Sequence, residues 1–195
     1  MSDIVKVKAV VIGDGGCGKT SLLRRWTDDQ FTSESPISLF ITYMKHIEID
    51  GFRLDLTLQD TSGQGVYDRM RPLIYPDTDV ILICFAVDLP DSLHNAYEKW
   101  LYEILQHCPN VPYVLVACKA DLRNDKRTLD DLQQISRKPV TRQEGMLMAR
   151  EMKAAAYIET SSKDNTGMQQ PLDIVCRLAL ARRRPYQTKK CCYLL

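Results

Sequence analysis

A possible polyphosphate-binding motif stands near the amino terminus, where the chain reads Gly13-Asp14-Gly15-Gly16-Cys17-Gly18-Lys19-Thr20. Glycines in such a turn let successive backbone N–H groups point at one anion. Lys19 can bring positive charge to the terminal phosphates, and the Thr20 hydroxyl is suited to binding Mg²⁺. The segment follows an apolar stretch and opens a helical pattern, which disfavours a chance glycine-rich turn. The motif therefore predicts binding of a nucleoside triphosphate, without indicating the base.

A second element with chemical potential follows a predicted strand and reads Asp60-Thr61-Ser62-Gly63-Gln64. The Asp60 carboxylate is suited to holding Mg²⁺, and Gly63 can offer a backbone N–H to a terminal phosphate. Gln64 would then orient an attacking water molecule. An aspartate at the end of a strand is by itself commonly a turn former. Together with the phosphate motif, the element indicates nucleotide hydrolysis.

A third segment, which could recognise the base, follows another apolar stretch and reads Cys118-Lys119-Ala120-Asp121. A carboxylate at Asp121 can accept hydrogen bonds from N1–H and the exocyclic amine of guanine. Adenine presents no matching donors and would leave the carboxylate buried and unpaired. The apolar stem of Lys119 can lie against the base. A Lys-x-Asp pair is common on surface loops, but in register with the other two elements it favours guanine.

Apolar segments alternate with helical patterns along the chain and must position these residues. Alternation at Leu54, Leu56 and Leu58 predicts a strand with one covered face, and Asp50-Gly51 predicts the hairpin turn before it. The order of elements predicts an α/β fold with a mostly parallel sheet, helices on both faces and ligands beyond the carboxyl ends of the strands. Pro171 fits a helix only in the first turn. The predicted strands are 5–12, 40–49, 54–58, 80–87, 111–118 and 156–160, and the predicted helices are 19–26, 91–106, 141–153 and 168–184.

The bulk composition is that of one globular domain with a short tail. A formal net charge of +1 over 195 residues gives no reason to expect nucleic-acid binding. Seven cysteines without regular spacing predict mostly free, buried thiols in a reducing compartment, with the cytosol as the working assumption. No apolar run approaches the ~18 residues of a membrane-spanning helix. We predict a nucleotide-binding domain at 1–181, with a surface insertion containing a short helix at about 122–139, and a flexible basic tail at 182–195.

With these motifs in register, the chain resembles the Rho family of Ras-like small GTPases. The segment from Asp60 to Gln64 is similar to the family's Asp-x-x-Gly-Gln element, with Ser62 where alanine is usual. Stretches 67–80 and 109–112 also look like Rho sequences, and the insertion is similar in place and length to the helix that separates Rho proteins from other Ras-like GTPases. The resemblance runs from about Lys6 to the end. It implies the P-loop small GTPase fold, with a six-stranded sheet and a Rho-type insert helix.

The resemblance also implies a switch that cycles between GTP and GDP, uses Mg²⁺ and hydrolyses GTP slowly without an activating protein. Ser161-Ser162-Lys163 resembles the loop whose backbone contacts the guanine carbonyl oxygen, and Phe31 the aromatic residue that packs edge-on to the base. The implied catalytic residues are Lys19 and Gln64, and the implied magnesium ligands are Thr20, Ser38 and Asp60. The implied nucleotide-binding residues are Gly13, Asp14, Gly15, Gly16, Cys17, Gly18, Lys19, Thr20, Ser21, Phe31, Ser38, Asp60, Gly63, Cys118, Lys119, Asp121, Leu122, Ser161, Ser162 and Lys163.

Three departures from the family pattern concern the nucleotide and the partners. Cys118 stands where the family has an asparagine that bridges the base and the phosphate loop, and a thiol replaces that amide only weakly. Ser38 stands where the family has the threonine that senses Mg²⁺ and the terminal phosphate, and serine keeps that hydroxyl. In the alternative alignment with the family, the register of this segment is shifted by one residue at Pro36. Gln59 replaces a tryptophan important for exchange-factor choice in many Rho proteins. We therefore predict faster nucleotide exchange than in typical members, and unusual effectors and activators.

Two other interpretations stay open on the sequence alone. The chain could be a GTP-bound interaction module that exchanges fast and hydrolyses poorly, which Cys118 and Ile37 favour but Gln64 and Gly15 oppose. It could also be a P-loop kinase or ATPase, which Asp121 and the absence of a lid-like arginine pattern oppose.

The last five residues, Cys191-Cys192-Tyr193-Leu194-Leu195, place a cysteine four from the end and a leucine last, which predicts geranylgeranylation of Cys192. Because one lipid binds reversibly, the basic residues 182–184 and 189–190 would supply a second membrane signal. Cys191 is either palmitoylated or an unmodified thiol. The resemblance implies a monomer at the cytoplasmic face of the plasma membrane, with a cytosolic pool. Its partners would be an exchange factor, an activating protein, effectors and, as a further candidate, a dissociation inhibitor, in control of the actin cytoskeleton or membrane traffic.

Overall fold

The computed structural model describes residues 4–31 and 40–183. A six-stranded sheet forms its centre in the order β2-β3-β1-β4-β5-β6. Only the β2–β3 pair is antiparallel, so the predicted α/β fold with a mostly parallel sheet is confirmed. The strands are β1 (Val5–Gly13), β2 (Ile41–Ile49), β3 (Phe52–Asp60), β4 (Val80–Ala86), β5 (Tyr113–Cys118) and β6 (Tyr157–Glu159).

Helices cover both faces of the sheet, because the central strands are apolar on both sides. All seven residues of β4 are buried, and they alternate between the two cores. One core packs α1 and α6 against the sheet, and the other packs the helical segment that follows β4, together with α5. The helices are α1 (Lys19–Asp28), α2 (Pro90–Asn95), α3 (Tyr102–His107), α4 (Lys126–Gln134), α5 (Arg142–Glu151) and α6 (Gln169–Arg183), with a π-helical segment (Ala96–Leu101) between α2 and α3.

Local signals in the sequence placed several of these elements correctly. The β2–β3 hairpin turns at Asp50 and Gly51, whose φ angles of 51° and 78° suit a tight hairpin. Pro171 is the third residue of α6, so its missing N–H falls in the first turn as predicted. Thr141 begins α5 with a capping box in which its side chain and that of Glu144 each accept a backbone N–H.

The helix predicted at 91–106 differs from the observed one in its interior. The observed helical stretch runs from Pro90 to His107, but its middle segment Ala96–Leu101 has π-helical hydrogen bonding. This wider turn carries Trp100, which is completely buried. A π segment shifts the faces of the helix around it, which is a common feature near functional sites.

The predicted insertion contains a short helix, α4, as expected. A 3₁₀ segment (Ala120–Asn124) precedes α4, and Asp125 caps the amino end of α4 by accepting the N–H of Thr128 at 2.9 Å. The five described cysteines are buried and unpaired, in agreement with the prediction of free thiols. Across 4–31 and 40–183, no helix has the length and apolarity needed to cross a bilayer.

Candidate functional site

The phosphate motif forms the turn between the end of β1 and the start of α1. Gly18 precedes the helix with a φ of 104°, a conformation that favours glycine. Lys19 is 6% exposed, and its ammonium donates to the backbone oxygens of Gly13 at 2.8 Å and Asp14 at 2.7 Å. A buried cation held by carbonyls on the rim of a glycine-rich turn is placed to meet an anion there.

The two magnesium ligands that lie in the described part of the chain come together beside this turn. The Thr20 hydroxyl donates to Asp60 Oδ2 at 2.6 Å. The other carboxylate oxygen, Oδ1, is buried and has no hydrogen-bond partner among the described residues. An orphaned carboxylate oxygen beside a hydroxyl suits Mg²⁺, which takes oxygen ligands and helps to offset the cost of a buried negative charge. The third expected ligand, Ser38, lies outside the described residues.

Gly63 lies directly against the phosphate loop. A side chain there would place its Cβ 2.3 Å from the Gly13 oxygen and 2.5 Å from the Gly15 nitrogen, so only glycine fits. Gln64 follows with an exposed side chain, and its backbone N–H donates to Ser62 Oγ at 3.3 Å. The structure therefore brings the element at 60–64 into contact with the loop, as the sequence predicts.

The base-recognition residues meet at the carboxyl end of β5. Asp121 Oδ1 accepts the Ser161 hydroxyl at 2.6 Å, which leaves Oδ2 available to a ligand. The Lys119 ammonium lies 3.0 Å from Asp88 Oδ2, so an ion pair directs its stem. The two base-binding loops are also joined through Thr160, whose N–H donates to Ala117 and whose carbonyl accepts from Ala120.

Cys118 is 3% exposed, and its side chain lies beside the phosphate loop. The Cβ of a side chain at Gly18 would lie 3.2 Å from Cys118 Cβ and 3.8 Å from its Sγ. A hydrogen bond with Cys118 raises the pKa of the Cys84 thiol, and burial raises the pKa of Cys17 to about 11. The Cys84 and Cys17 thiols therefore add no negative charge near a bound phosphate, whereas the hydrogen bond from Cys84 lowers the pKa of Cys118. Cys118 therefore places a thiol beside Gly18 where the family has an amide.

The remaining predicted residues fall into three groups. Leu122 is half-buried and donates its N–H to the Lys119 oxygen at 2.9 Å, and Ser21 is half-buried on α1. Phe31 is 40% exposed and is the last residue of the first described range. Cys191 and Cys192 lie outside the described residues, and their modification stays a prediction.

A buried polar network behind the site was not predicted from the sequence. Asp14 in the phosphate loop accepts the Trp100 indole N–H and the Asn95 amide, each at 2.7 Å. The Arg71 guanidinium is completely buried, lies 4.6 Å from the Trp100 ring centroid and donates to the Ser62 carbonyl. The network thus joins the phosphate loop to the segment after Asp60. No period or motif distinguishes Arg71 from the exposed Arg69, so its burial had no sequence signal.

Comparison with known proteins agrees with this geometry. The Ras family model matches residues 8–181. The chain is 43% identical to GTP-binding protein rho1 and 42% identical to GTP-binding protein rho5, both of Schizosaccharomyces pombe, with all of each chain covered. It is 46% identical to GTP-binding protein RHO1 of Saccharomyces cerevisiae over 90% of this chain and 84% of the relative.

The chain belongs to the Rho family of Ras-like small GTPases. As a Rho-family member it binds GTP and GDP with Mg²⁺ and hydrolyses GTP to GDP, so it is a GTPase switch. Family membership also implies regulators that exchange nucleotide or activate hydrolysis, and effectors that recognise the GTP state. The predicted roles of the individual site residues remain predictions.

Restoring the family's asparagine at Cys118 should slow nucleotide release from this Rho-family GTPase. An amide can bridge the phosphate loop and the base, whereas the thiol only lies beside Gly18, so we expect Cys118→Asn to slow GDP dissociation by about tenfold. The rate is measured by displacement of a fluorescent GDP analogue. Cys176→Ser, which changes a buried thiol on α6, serves as the control. Unchanged GDP release in Cys118→Asn would show that the cysteine is not a cause of fast exchange.

Proposed function

We propose that this Rho-family GTPase is a slowly hydrolysing, membrane-tethered switch. The observation that supports it most is the contact of Gly63 with the phosphate loop, because a terminal phosphate bound by the loop would also meet the Gly63 N–H. Phe40 lies in the segment 34–43, which resembles the family's first switch, and Tyr67 begins the segment 67–80, which resembles the second switch and the following strand. The two rings pack edge-on, with 6.2 Å between their centroids. Loss of the terminal phosphate would thus be felt by both segments, which effectors read.

Hydrolysis at this site would depend on positioning and charge neutralisation. The Lys19 ammonium and the loop N–H groups would neutralise the terminal phosphate, and Thr20, Asp60 and Ser38 would hold Mg²⁺. When bound, Mg²⁺ supplies Lewis-acid stabilisation of the phosphate charge. Gln64 would orient the attacking water. The first-switch sequence at 34–43 contains no arginine, so an activating protein would donate one, worth roughly 10³–10⁵ in rate for this class.

Replacing Gln64 by leucine should abolish most of the stimulated hydrolysis. Leucine has a similar volume but cannot hydrogen-bond water, so we expect the single-turnover rate with an activating protein to fall by about 10²-fold or more. Hydrolysis is followed by phosphate release from protein preloaded with GTP. Gln106→Leu, which changes an exposed glutamine on α3, is the matched control. A Gln64→Leu protein that hydrolyses at the wild-type rate would remove Gln64 from the mechanism.

A fast-exchanging, hydrolysis-poor interaction module is the second candidate function. The thiol of Cys118 beside Gly18 favours it, because no amide ties the base to the phosphate loop. The same single-turnover assay separates the two functions. A wild-type rate that does not respond to any Rho-directed activating protein, together with rapid GDP release, would favour the module.

The carboxyl terminus supports membrane attachment through a lipid on Cys192. The sequence has a cysteine four from the end, a terminal leucine and five basic residues at 182–184 and 189–190. Each basic residue near an anionic leaflet contributes about 1 kcal/mol, which suits a second signal beside a single lipid. We propose the cytoplasmic face of the plasma membrane as the site of action, with a cytosolic pool that a dissociation inhibitor could bind. A role in the actin cytoskeleton or membrane traffic rests on the family resemblance.

The lipid proposal predicts where a cysteine variant will be found. Cys192→Ser should move the full-length protein into the soluble fraction, lowering the membrane-bound share by about tenfold or more, because basic residues alone bind weakly. Cell fractionation in the native host measures the shift. Cys191→Ser, which leaves the prenylation signal intact, is the matched control and should stay at least partly on membranes. Unchanged membrane binding of Cys192→Ser would refute the lipid on this residue.

A further inference from the structure

Arg25 lies in the last turn of α1, the helix that begins with the phosphate-binding Lys19. Its side chain is only 15% exposed, and its guanidinium reaches the base-binding loop. Nε donates to the Ser162 carbonyl at 2.9 Å, and Nη2 donates to the Lys163 carbonyl at 3.4 Å. No motif in the sequence marks this arginine, yet it joins the phosphate-binding helix to the loop expected to meet guanine.

The same guanidinium also holds the chain that leads to Phe31. Nη1 donates to the Asp29 carbonyl at 2.9 Å and lies 3.3 Å from its carboxylate. Asp29 ends α1 in the left-handed conformation, with a φ of 51°, two residues before Phe31. One side chain therefore fastens both segments that the family resemblance places around the base.

The contact with Ser162 fixes the direction of a neighbouring N–H group. A trans peptide unit is planar, so its carbonyl and its N–H point in opposite directions. When the Ser162 carbonyl points to Arg25, the N–H of Lys163 in the same unit points away from α1. The adjacent Asp164 N–H is already bonded to Ser161 Oγ at 3.0 Å, so of these two N–H groups it is that of Lys163 that the loop can present to a ligand.

We infer that Arg25 is a guanine-positioning residue, which aims the backbone N–H of Lys163 at the carbonyl oxygen of the base. The inference rests on the guanine binding of the Rho family and refines that site. Arginine suits the task because its planar fork donates to several acceptors at once, whereas lysine offers a single point of attachment. The hydrogen bonds of Arg25 to the base-binding loop matter more for holding the base in this chain, because Cys118 makes no amide bridge between the base and the phosphate loop.

The test compares GDP with 6-thio-GDP, in which sulfur, a weak acceptor, replaces the guanine carbonyl oxygen. In the full-length protein, Arg25→Leu should speed GDP release by about tenfold, the effect of losing an aimed hydrogen bond in a buried site. Release of 6-thio-GDP should speed up by less than about threefold, because that hydrogen bond is already weak. The wild-type preference for GDP over 6-thio-GDP would therefore shrink.

Two further variants keep the test decisive. Arg25→Lys retains the charge and the fold, and should lose most of the same preference because it cannot reach Ser162 and Asp29 together. Arg127→Leu removes an exposed arginine on α4 and should leave both release rates unchanged. Equal acceleration of GDP and 6-thio-GDP release, or no acceleration, would overturn the role of Arg25. Failure of the wild type to bind guanine nucleotide would instead overturn the assignment of the site itself.

Discussion

Asp121→Asn is expected to change the preferred base from guanine to xanthine. The Ser161 hydroxyl holds Oδ1 of Asp121 at 2.6 Å, so an asparagine that keeps this bond would place its NH₂ where Oδ2 now lies. Guanine would then face that donor with its own exocyclic amine, whereas xanthine carries an acceptor oxygen there. A site built around a matched hydrogen bond rejects the mismatched ligand by about 10⁴-fold, and we expect a change in preference of that order.

The change in base preference is measured by how well GDP and xanthosine diphosphate (XDP) each displace a fluorescent nucleotide from the protein. Asp130→Asn, an exposed aspartate on α4 in the same region of the sequence, serves as the matched control and should keep the preference for GDP. A variant at Asp121 that still prefers GDP would show that this carboxylate does not read the base.

Lys19→Met should have the largest effect on phosphate binding. Methionine fills nearly the same volume without the charge, so the terminal phosphates would lose a buried cation that now lies on the carbonyls of Gly13 and Asp14. Truncating one partner of a buried charge pair costs about 2–5 kcal/mol, so we expect affinity for GTP to fall by roughly 10²–10³-fold. Titration of each protein with a fluorescent GTP analogue measures the loss.

The nucleotide-free protein should respond to Lys19→Met in the opposite direction. Without a phosphate, the 6% exposed ammonium is a desolvated charge held by neutral groups, two carbonyls and the Cys17 thiol, so its removal should leave the thermal midpoint unchanged or raise it. Lys126→Met, on the exposed surface of α4, is the control for loss of a charge. A lower midpoint with unchanged GTP affinity would mean that Lys19 is structural and does not bind phosphate.

The fold was predictable where a local pattern carries its own physical reason. The turn at Asp50-Gly51 needs two left-handed residues, and both have positive φ. The strand at 80–87 was recognisable because burial on both faces makes it continuously apolar. The π-helical segment was not predictable, because Ala96–Leu101 has the composition of an ordinary helix and its geometry follows from how Trp100 packs against Asp14 and Arg71.

The candidate site was predictable to the extent that its residues stand in motifs. Glycines, Lys19, Asp60 and Asp121 are constrained by spacing, and the structure places them at the carboxyl ends of β1, β3 and β5. Arg25 and Arg71 were missed for a different reason. An arginine on a helix or in a short turn is normally a solvated charge. Here each becomes a buried connector through carbonyls and carboxylates, some of them supplied by distant segments. Such partners cannot be read from one sequence.

Helix α6 ends near the amino end of β4, at the opposite ends of the strands from the nucleotide site. The Arg183 Nε lies 2.6 Å from Asp79, just before the first residue of β4, while the phosphate loop and Cys118 stand beyond the other ends of the strands. The seven residues of β4 separate the two edges by roughly 20 Å. A partner that contacts the end of α6 would therefore leave the nucleotide site, beyond the opposite ends of the strands, uncovered. Regulators could then dock at the nucleotide site, and nucleotide could leave, while the contact at α6 is kept.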